Sequence, residues 1–244
     1  MLFWNLTAEA PVVETPVVLP VSTIIVVILT VLISAALGYF LGSINTAILY
    51  SRLRYKQDIR EFGSKNAGMT NMLRTYGKGA AVITLVGDLL KTFIAVWGAK
   101  LVALGLAQLC PIVPGEFFDI AAYTAALFSV TGHCFPSYYG FKGGKGVAAL
   151  AAAVLATAPV AFAVLIAIFV LIVLGTKYVS LGSVVCCMLY PVILNRIYGP
   201  GISNIFAMVI AVLVIYRHRE NIKRLWNGKE NKISLSKKNK DGKE

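Results

Sequence analysis

A glycine-rich basic segment at residues 140–146, with the sequence GFKGGKG, stands directly before an apolar run. Glycines at the start of a helix expose backbone N–H groups to an anion, and the helix dipole adds to the attraction. The segment is not a Walker A motif, because Gly146 stands where that motif needs Ser or Thr. A flexible turn is the alternative, but two lysines among four glycines favour a phosphate-binding loop. Its candidate ligands are Gly143, Gly144, Lys145 and Gly146.

A second polar cluster occupies residues 42–74, where the stretches GSIN and GSKNAGMTN alternate small residues with hydroxyl and amide side chains. Small residues let the backbone approach a ligand, and guanidinium groups match the geometry of a phosphate. Taken alone, this region is better explained as a cytoplasmic loop that is basic for topological reasons. Its candidate ligands are Ser43, Arg52, Asn66, Thr70, Asn71 and Arg74.

A third cluster lies at residues 218–230, with the sequence HRENIKRLWNGKE. A helix would place His218, Asn221 and Arg224 on one face, where they are able to point into a site. The alternative is a basic helix beside the membrane that binds anionic headgroups, with Trp226 at the interface. Both interpretations are compatible with the same helix.

Isolated polar residues also interrupt the apolar runs. Charges within a membrane are costly, so Asp88 and Lys91 mark either function or a self-neutralising ion pair. Ser180 and Ser183 share a helical face and suit either a helix start or a phosphate site. His133 is expected to make a structural hydrogen bond. The sequence contains no GxSxG motif and no cysteine–histidine pair with a supporting acid, so chemistry would rest on charge neutralisation and positioning.

The elements that position these clusters are hydrophobic helices. The chain has 244 residues, of which 58% are hydrophobic, and its net charge is +12; the mean hydropathy is +0.76. Lipid must cover much of such a chain, which argues against a nucleic-acid-binding protein. The four cysteines form no CxxC pair and the two histidines lie far apart, so we expect neither a metal nor a cofactor.

The basic residues fix a predicted topology. Short cytoplasmic loops collect Lys and Arg, which places the loops at residues 51–78 and 136–146 inside the cell and the N-terminus outside. The basic tail is also inside only if the long apolar stretch 147–175 folds back near Pro159. We therefore predict an all-α membrane protein with seven spans over residues 21–216, two of them short. An extracytoplasmic lead-in (1–20), a cytoplasmic motif segment (217–232) and a disordered basic tail (233–244) complete the chain.

Six motifs occur in one order: GSINTA (42–47), GSKNAGMTN (63–71), DLLK (88–91), GHCFPSYYGFKGGKG (132–146), YVSLGS (178–183) and HRENIKRLWNGKE (218–230). Together they resemble the bacterial acyl-phosphate-dependent glycerol-3-phosphate acyltransferase family, over about residues 30–232. The resemblance implies a seven-span enzyme of the bacterial cytoplasmic membrane with its active site on the cytoplasmic face. It implies transfer of an acyl group from acyl phosphate to the 1-hydroxyl of glycerol 3-phosphate. The products are lysophosphatidic acid and inorganic phosphate, in phospholipid biosynthesis.

The resemblance also implies residues and partners. Lys145 and the backbone of residues 143–146 belong to its phosphate-binding loop. The soluble enzyme that makes acyl phosphate is an implied partner, beside the lipid bilayer. As candidates for catalysis we take Ser43, Arg52, Lys145, Ser180, His218 and Asn221; as candidates for binding we take Asn66, Thr70, Asn71, Arg74, Lys91, Gly143, Gly144, Gly146, Ser183, Arg224 and Glu230.

Three positions depart from the usual family pattern. Asn45 stands where proline is common, Lys65 replaces a glycine, and Ala67 replaces a proline. Lys65 either strengthens anion binding or points to solvent. The main alternative function is a transporter of an organic phosphate, but we find no repeated halves of the kind that transporters show. A structural membrane-binding protein would explain the basic tail but not the glycine motifs.

Overall fold

The computed structural model describes residues 19–110 and 115–233, and in these ranges it contains α-helices and two short 3₁₀ helices but no strand. The prediction of an all-helical protein is confirmed. The predicted lead-in and basic tail fall almost wholly on residues 1–18 and 234–244, outside the described residues. In chain order the helices are α1 (Val21–Ser43), α2 (Thr46–Tyr55), α3 (Met69–Tyr76), α4 (Lys78–Ala107), α5 (Phe117–Cys134), α6 (Val147–Thr157), α7 (Pro159–Thr176), α8 (Val179–Tyr198), α9 (Ile202–Arg217) and α10 (Arg219–Trp226).

The helices expose apolar side chains on a scale that suits lipid rather than water. Helix α7 is hydrophobic along its whole length, yet only Ala161 and Leu165 are buried. Leu171 and Leu174 are 71% and 72% exposed. A surface of this kind is stable only where a bilayer covers it.

Each of the seven predicted apolar segments contains a helix, namely α1 and α4 to α9. By length and composition, four helical stretches in the described residues are able to cross a membrane: Val21–Tyr55, which joins α1 and α2, and then α4, α7 and α8. The pair α9–α10, bent by 59°, makes a fifth if it is counted as one span. Helix α6 has only 11 residues. The count of seven spans and their orientation therefore stay predictions.

The long apolar stretch 147–175 breaks where proline predicts it. Helix α6 ends at Thr157, Ala158 leaves the helical conformation with φ −144° and ψ 69°, and Pro159 opens α7. Proline suits the first position of a helix because its missing N–H would have no helical partner there. The break lies within the predicted region.

Small residues bring α1 and α5 into close contact. A Cβ atom on Gly38 would lie 2.5 Å from the carbonyl oxygen of Ala125. A Cβ atom on Gly42 would lie 2.3 Å from the carbonyl oxygen of Ser129. On the other helix, a Cβ on Gly132 would lie 2.3 Å from the Tyr39 oxygen. Such close approach is how membrane helices gain packing contacts. It fixes the end of α5, from which the glycine-rich loop continues.

The polar segments gather at one end of the helical bundle. Arg74 of α3 donates to the Asn231 carbonyl oxygen at 3.5 Å, and the Ile233 N–H donates to the Lys177 oxygen at 2.8 Å. The segment after α10 therefore lies between α3 and the start of α8. These contacts bring the second and third sequence clusters together.

Candidate active site

A cavity of about 450 Å³ opens where these polar segments meet helices α6, α7 and α8. One end of it is polar, and the other is apolar. The polar end is lined by Asn66, Thr70, Asn71, Arg74, Asp88, His133, Lys145, Ser180, Ser183, His218, Asn221, Arg224, Glu230 and Asn231. The apolar end is lined by Leu150, Ala151, Val154, Phe162, Leu165, Ile166, Phe169, Cys186, Cys187 and Tyr190.

A hydrogen-bond network centred on Glu230 organises the polar end. Its carboxylate accepts from the Ser180 hydroxyl at 2.9 Å, the Asn221 amide at 2.7 Å and the Arg224 Nε at 2.7 Å. Lys145 donates its ammonium to the Asn221 amide oxygen. These contacts join the glycine-rich loop, α8 and α10, so residues from three distant parts of the sequence share one site.

Charge at the polar end exceeds what the site itself neutralises. Lys145, Arg74 and Arg224 line the polar end with the Glu230 carboxylate, while the other lining carboxylate, that of Asp88, is paired with Lys91. Burial alone would raise the pKa of Glu230, but hydrogen bonds from Asn221, Arg224 and Ser180 lower it, so it stays ionised. Burial, with Arg224 and Arg74 acting in the same direction, lowers the pKa of Lys145 to about 8. The surplus positive charge suits a phosphate ligand.

His218 lies between α9 and α10 with its ring committed to one tautomer. The Nδ1 atom lies 2.7 Å from the Val214 carbonyl oxygen, which only accepts hydrogen bonds, so Nδ1 carries the proton. Burial lowers the pKa of His218 to about 4. At neutral pH the ring is therefore uncharged, and its Nε2 is a hydrogen-bond acceptor.

The start of α6, rather than the preceding glycine pair, offers free backbone donors. The N–H groups of Gly143 and Gly144 already donate to the oxygens of Cys134 and His133 at 3.2 and 3.1 Å. Neither glycine lines the cavity, whereas Gly146, Val147 and Ala148 do. The prediction that the Gly143 and Gly144 amides bind an anion does not fit these contacts; at the cavity, the N–H groups without a helical partner are those of the first turn of α6.

The GSKNAGMTN motif contains candidate ligands and one residue that holds the loop in shape. Asn71 lines the cavity, but its amide is fully used: it donates to the Ile59 and Phe62 oxygens and accepts from the Ser64 N–H. Asn71 therefore holds the motif loop in shape. Asn66, Thr70 and Arg74 keep polar groups at the cavity wall.

The prediction that Lys91 binds substrate does not fit its contacts. The Lys91 ammonium donates to the Ile44 oxygen at 2.8 Å and to His133 Nδ1 at 3.0 Å, and it pairs with Asp88 at 2.9 Å. All three of its N–H groups are thereby used. Lys91 does not line the cavity, although Asp88 and His133 do. The ion-pair alternative describes Lys91 better.

Ser43 and Arg52 also lie away from the cavity lining. Ser43 is fully buried at the end of α1, and its hydroxyl has no hydrogen-bond partner within the described residues. Arg52 is half exposed, pairs with Asp58 at 2.8 Å and lies over the Tyr139 ring. The structure thus brings together four of the six predicted catalytic residues: Lys145, Ser180, His218 and Asn221.

Sequence reasoning missed the apolar end of the cavity. Leu150, Ala151 and Val154 repeat at the spacing of one face of α6 and meet α7 and α8 there. Every residue around them is also apolar, so periodicity alone does not separate a cavity wall from a lipid-facing surface. Within the described residues no group of three or more His, Cys, Asp or Glu side chains is placed to hold a metal ion.

Comparisons with known proteins agree over most of the chain. The glycerol-3-phosphate acyltransferase family model matches residues 18–228. A glycerol-3-phosphate acyltransferase of Clostridioides difficile (strain 630) is 41% identical over 210 residues, which cover 86% of this chain and 98% of that protein. That of Syntrophomonas wolfei is 40% identical over 198 residues, covering 81% and 94%.

Solved structures give the same result. The chain is similar to crystal structures of PlsY, an integral membrane glycerol 3-phosphate acyltransferase, in a glycerol 3-phosphate form and a lysophosphatidic acid form. The TM-scores are 0.72 and 0.69 at 32% and 31% identity, and each match covers 84% of this chain and 96% of PlsY.

Proposed function

The chain belongs to the glycerol-3-phosphate acyltransferase family, and we propose that it acylates the 1-hydroxyl of glycerol 3-phosphate with acyl phosphate as the donor. The products are lysophosphatidic acid and inorganic phosphate. As an acyltransferase of glycerol 3-phosphate in a membrane, it serves phospholipid biosynthesis.

One observation carries the choice of donor: a single cavity joins a cationic polar end to an apolar end. Acyl phosphate has the same division, with a charged phosphate joined through one carbonyl group to a hydrocarbon chain. The acyl chain lies between α6, α7 and α8, and the phosphate lies against Lys145 and the first turn of α6. Arg74 and Arg224 supply the further positive charge that the phosphate of the acceptor needs.

The reaction needs positioning more than a strong base. The C1 hydroxyl oxygen attacks the acyl carbonyl carbon and forms the new ester bond, while the bond from that carbon to the phosphate oxygen breaks. Phosphate leaves with the electron pair. Lys145 and the α6 amides stabilise the negative charge that develops there. His218, with its pKa near 4, is too weak a base to hold the proton, so its Nε2 orients the hydroxyl. The proton passes to the phosphate of the acceptor itself.

The remaining predicted residues fill supporting roles. Ser180 and Asn221 contact Glu230 and Lys145 and hold them in place. Ser183 borders the site on α8, where its hydroxyl donates to the Val179 oxygen. Arg52 supports the loop at residues 51–78 from outside the cavity through its ion pair with Asp58. Ser43, at the end of α1, lies beside Gly132 of α5.

We also propose the cellular setting. The family matches are bacterial, and the basic motif segments gather at one end of the bundle, which supports a cytoplasmic active-site face in the bacterial cell membrane. The donor then reaches the site from the soluble enzyme that makes acyl phosphate.

The donor is tested by giving the detergent-purified protein palmitoyl phosphate with and without glycerol 3-phosphate. We expect release of inorganic phosphate only with the acceptor, accompanied by lysophosphatidic acid. Palmitoyl-CoA and palmitoyl-acyl carrier protein are the comparison donors and should give no product. Lysophosphatidic acid formed from either of them, but not from palmitoyl phosphate, would refute the proposed donor.

A further inference from the structure

The carbonyl groups of the glycine-rich loop are held by two arginines that lie outside the cavity lining. Arg60, from the first motif loop, donates its Nη1 to the Tyr139 oxygen at 2.8 Å and to the Lys142 oxygen at 3.0 Å. Arg217, the last residue of α9, donates to the Gly144 oxygen at 2.9 and 3.2 Å and to the Gly143 oxygen at 3.3 Å. Three carbonyls of the loop, and that of Tyr139 directly before it, are thereby fixed by two guanidinium groups.

Both arginines are themselves held in place. Asp58 accepts from Nε and Nη2 of Arg60, at 3.0 and 2.8 Å. Hydrogen bonds from Arg60 hold the pKa of Asp58 well below its usual range, so the pair stays charged. The Arg217 guanidinium lies 5.1 Å from the centre of the Phe135 ring, which it covers. Each guanidinium group is thus held in a fixed orientation by contacts other than those to the loop.

The loop needs this support for two reasons: Phe141 has a strained backbone conformation, and the glycines around it are conformationally free. Gly140, Phe141 and Gly146 all have positive φ, at 66°, 59° and 88°. A non-glycine residue such as Phe141 adopts such values only where its surroundings impose them. Glycines elsewhere in the loop would otherwise leave it many conformations.

Holding the Gly144 oxygen also decides which way the next N–H points. In a trans peptide the C=O and the N–H point to opposite sides. Because Arg217 binds the Gly144 oxygen, the Lys145 N–H faces away from Arg217. The same contact sets the start of α6, whose amides border the cavity.

We propose that Arg60 and Arg217 are positioning residues that hold the glycine-rich loop in its phosphate-binding shape without touching the substrate. The inference rests on the proposed function in taking this loop as a phosphate site. Arg217 also immediately precedes His218, so it links the loop to the residue that orients the acceptor. Arg60 links the loop to the GSKNAGMTN motif in the same way.

The test measures binding of inorganic phosphate, the product released at the loop, by calorimetry without any donor, and then steady-state kinetics. Arg217→Ala should weaken binding of inorganic phosphate about tenfold and lower kcat/KM about 10- to 100-fold, since a small misplacement of binding groups has effects of that size. Arg60→Ala should lower kcat/KM about tenfold, because Arg60 contacts the carbonyls through one nitrogen, whereas Arg217 contacts them through two. Millimolar guanidinium should restore part of the activity of both variants, which a general folding defect would not permit.

Neighbouring arginines provide matched controls. Arg219 is exposed and, among residues 19–110 and 115–233, donates only to the Tyr216 oxygen of its own turn; Arg54 is exposed over the Tyr55 ring. Arg219→Ala and Arg54→Ala should bind and turn over like wild type. If the alanine variants do not fold, Arg60→Lys and Arg217→Lys keep the charge but lose the fork. Wild-type binding and turnover in folded lysine or alanine variants would overturn the proposal. If palmitoyl phosphate proved not to be the donor, the calorimetric measurement, which uses no donor, would still test the roles of Arg60 and Arg217.

Discussion

Two groups of charged side chains lie within the helical bundle, and they differ in whether their charges are satisfied internally. Asp88, Lys91 and His133 form the first, in which Lys91 uses all three of its N–H groups on protein acceptors. Lys145, Arg74, Arg224 and Glu230 form the second, in which three cations face one carboxylate beside a cavity. The first group lies within predicted spans, where unpaired charge is costly, and it is neutralised internally; only the second has charge left for a ligand.

The comparison shows why an intramembrane charge alone is weak evidence for a substrate site. The first group supports the fold by tying α4 to the end of α1 and to α5, as the Lys91 contacts with Ile44 and His133 show. The second group is the one that we propose binds the substrate phosphates. Variants of the first should therefore lose stability, whereas variants of the second should lose activity.

The largest effect should come from breaking the satisfied group. Lys91→Met leaves the buried Asp88 carboxylate without its cation, which should destabilise the protein by about 3–5 kcal/mol. Thermal unfolding in detergent measures this. The double variant Asp88→Asn/Lys91→Met removes both charges and should recover most of the loss. Equal destabilisation by the single and double variants would contradict the ion-pair interpretation.

Lys145→Ala should have the next largest effect, on turnover rather than on stability. Loss of a charged contact to the reacting phosphate typically lowers the rate by at least ~100-fold. Release of phosphate from palmitoyl phosphate in the presence of glycerol 3-phosphate measures it, with the unfolding temperature as the control. Activity like that of wild type in a folded variant would show that Lys145 does not bind the reacting phosphate.

The pH dependence sharpens the assignment of Lys145. Its pKa of about 8 means that it loses its proton, and its charge, as the pH rises through 8. We expect kcat/KM to fall about tenfold per pH unit above that point, since this parameter reports the free enzyme. His218 is already uncharged and Glu230 already ionised at this pH, because the pKa values of both groups are lowered.

Lys145→Arg identifies the group responsible, because a guanidinium stays protonated throughout this pH range. The alkaline fall in kcat/KM should move to higher pH in this variant, even if its maximum is lower. Spontaneous hydrolysis of the donor is subtracted by omitting the enzyme. A fall that stays near pH 8 in Lys145→Arg would assign it to another group.

The sequence predicted the parts of this comparison that follow from local chemistry. The break before Pro159, the helix carrying Asn221 and Arg224, and Lys145 beside a helix start agree with the structure, whereas His218 lies just before that helix rather than in it. The sequence alone does not decide whether Asp88 and Lys91 have a function or form a self-neutralising pair. The hydrogen-bond partners Ile44 and His133 lie outside their helix, so the spacing of the two charges does not reveal them.

The remaining features depend on packing that spacing does not encode. The N–H groups of Gly143 and Gly144 donate to carbonyl oxygens at the end of α5. Residue spacing does not predict this contact, because it depends on how the loop packs against that helix. The arginine contacts to the loop carbonyls join residues 60 and 217 to a segment far from either in the sequence. The apolar end of the cavity is formed by residues no different in type from those that face lipid.

The smallest effect should come from Lys65, a charge that belongs to neither group. Lys65 is exposed, does not line the cavity and has a positive φ of 58°, a conformation that glycine adopts readily. The usual glycine at this position is therefore explained by the backbone, and the lysine points to solvent. Lys65→Gly should relieve strain of about 1 kcal/mol and leave turnover within about twofold of wild type. Lys65→Ala, which removes the charge but keeps the Cβ atom, is the matched control and should match wild type in both activity and stability. A large loss of turnover in both variants would mean that the Lys65 charge acts on the substrate, and the cationic group at the cavity would then have to include it.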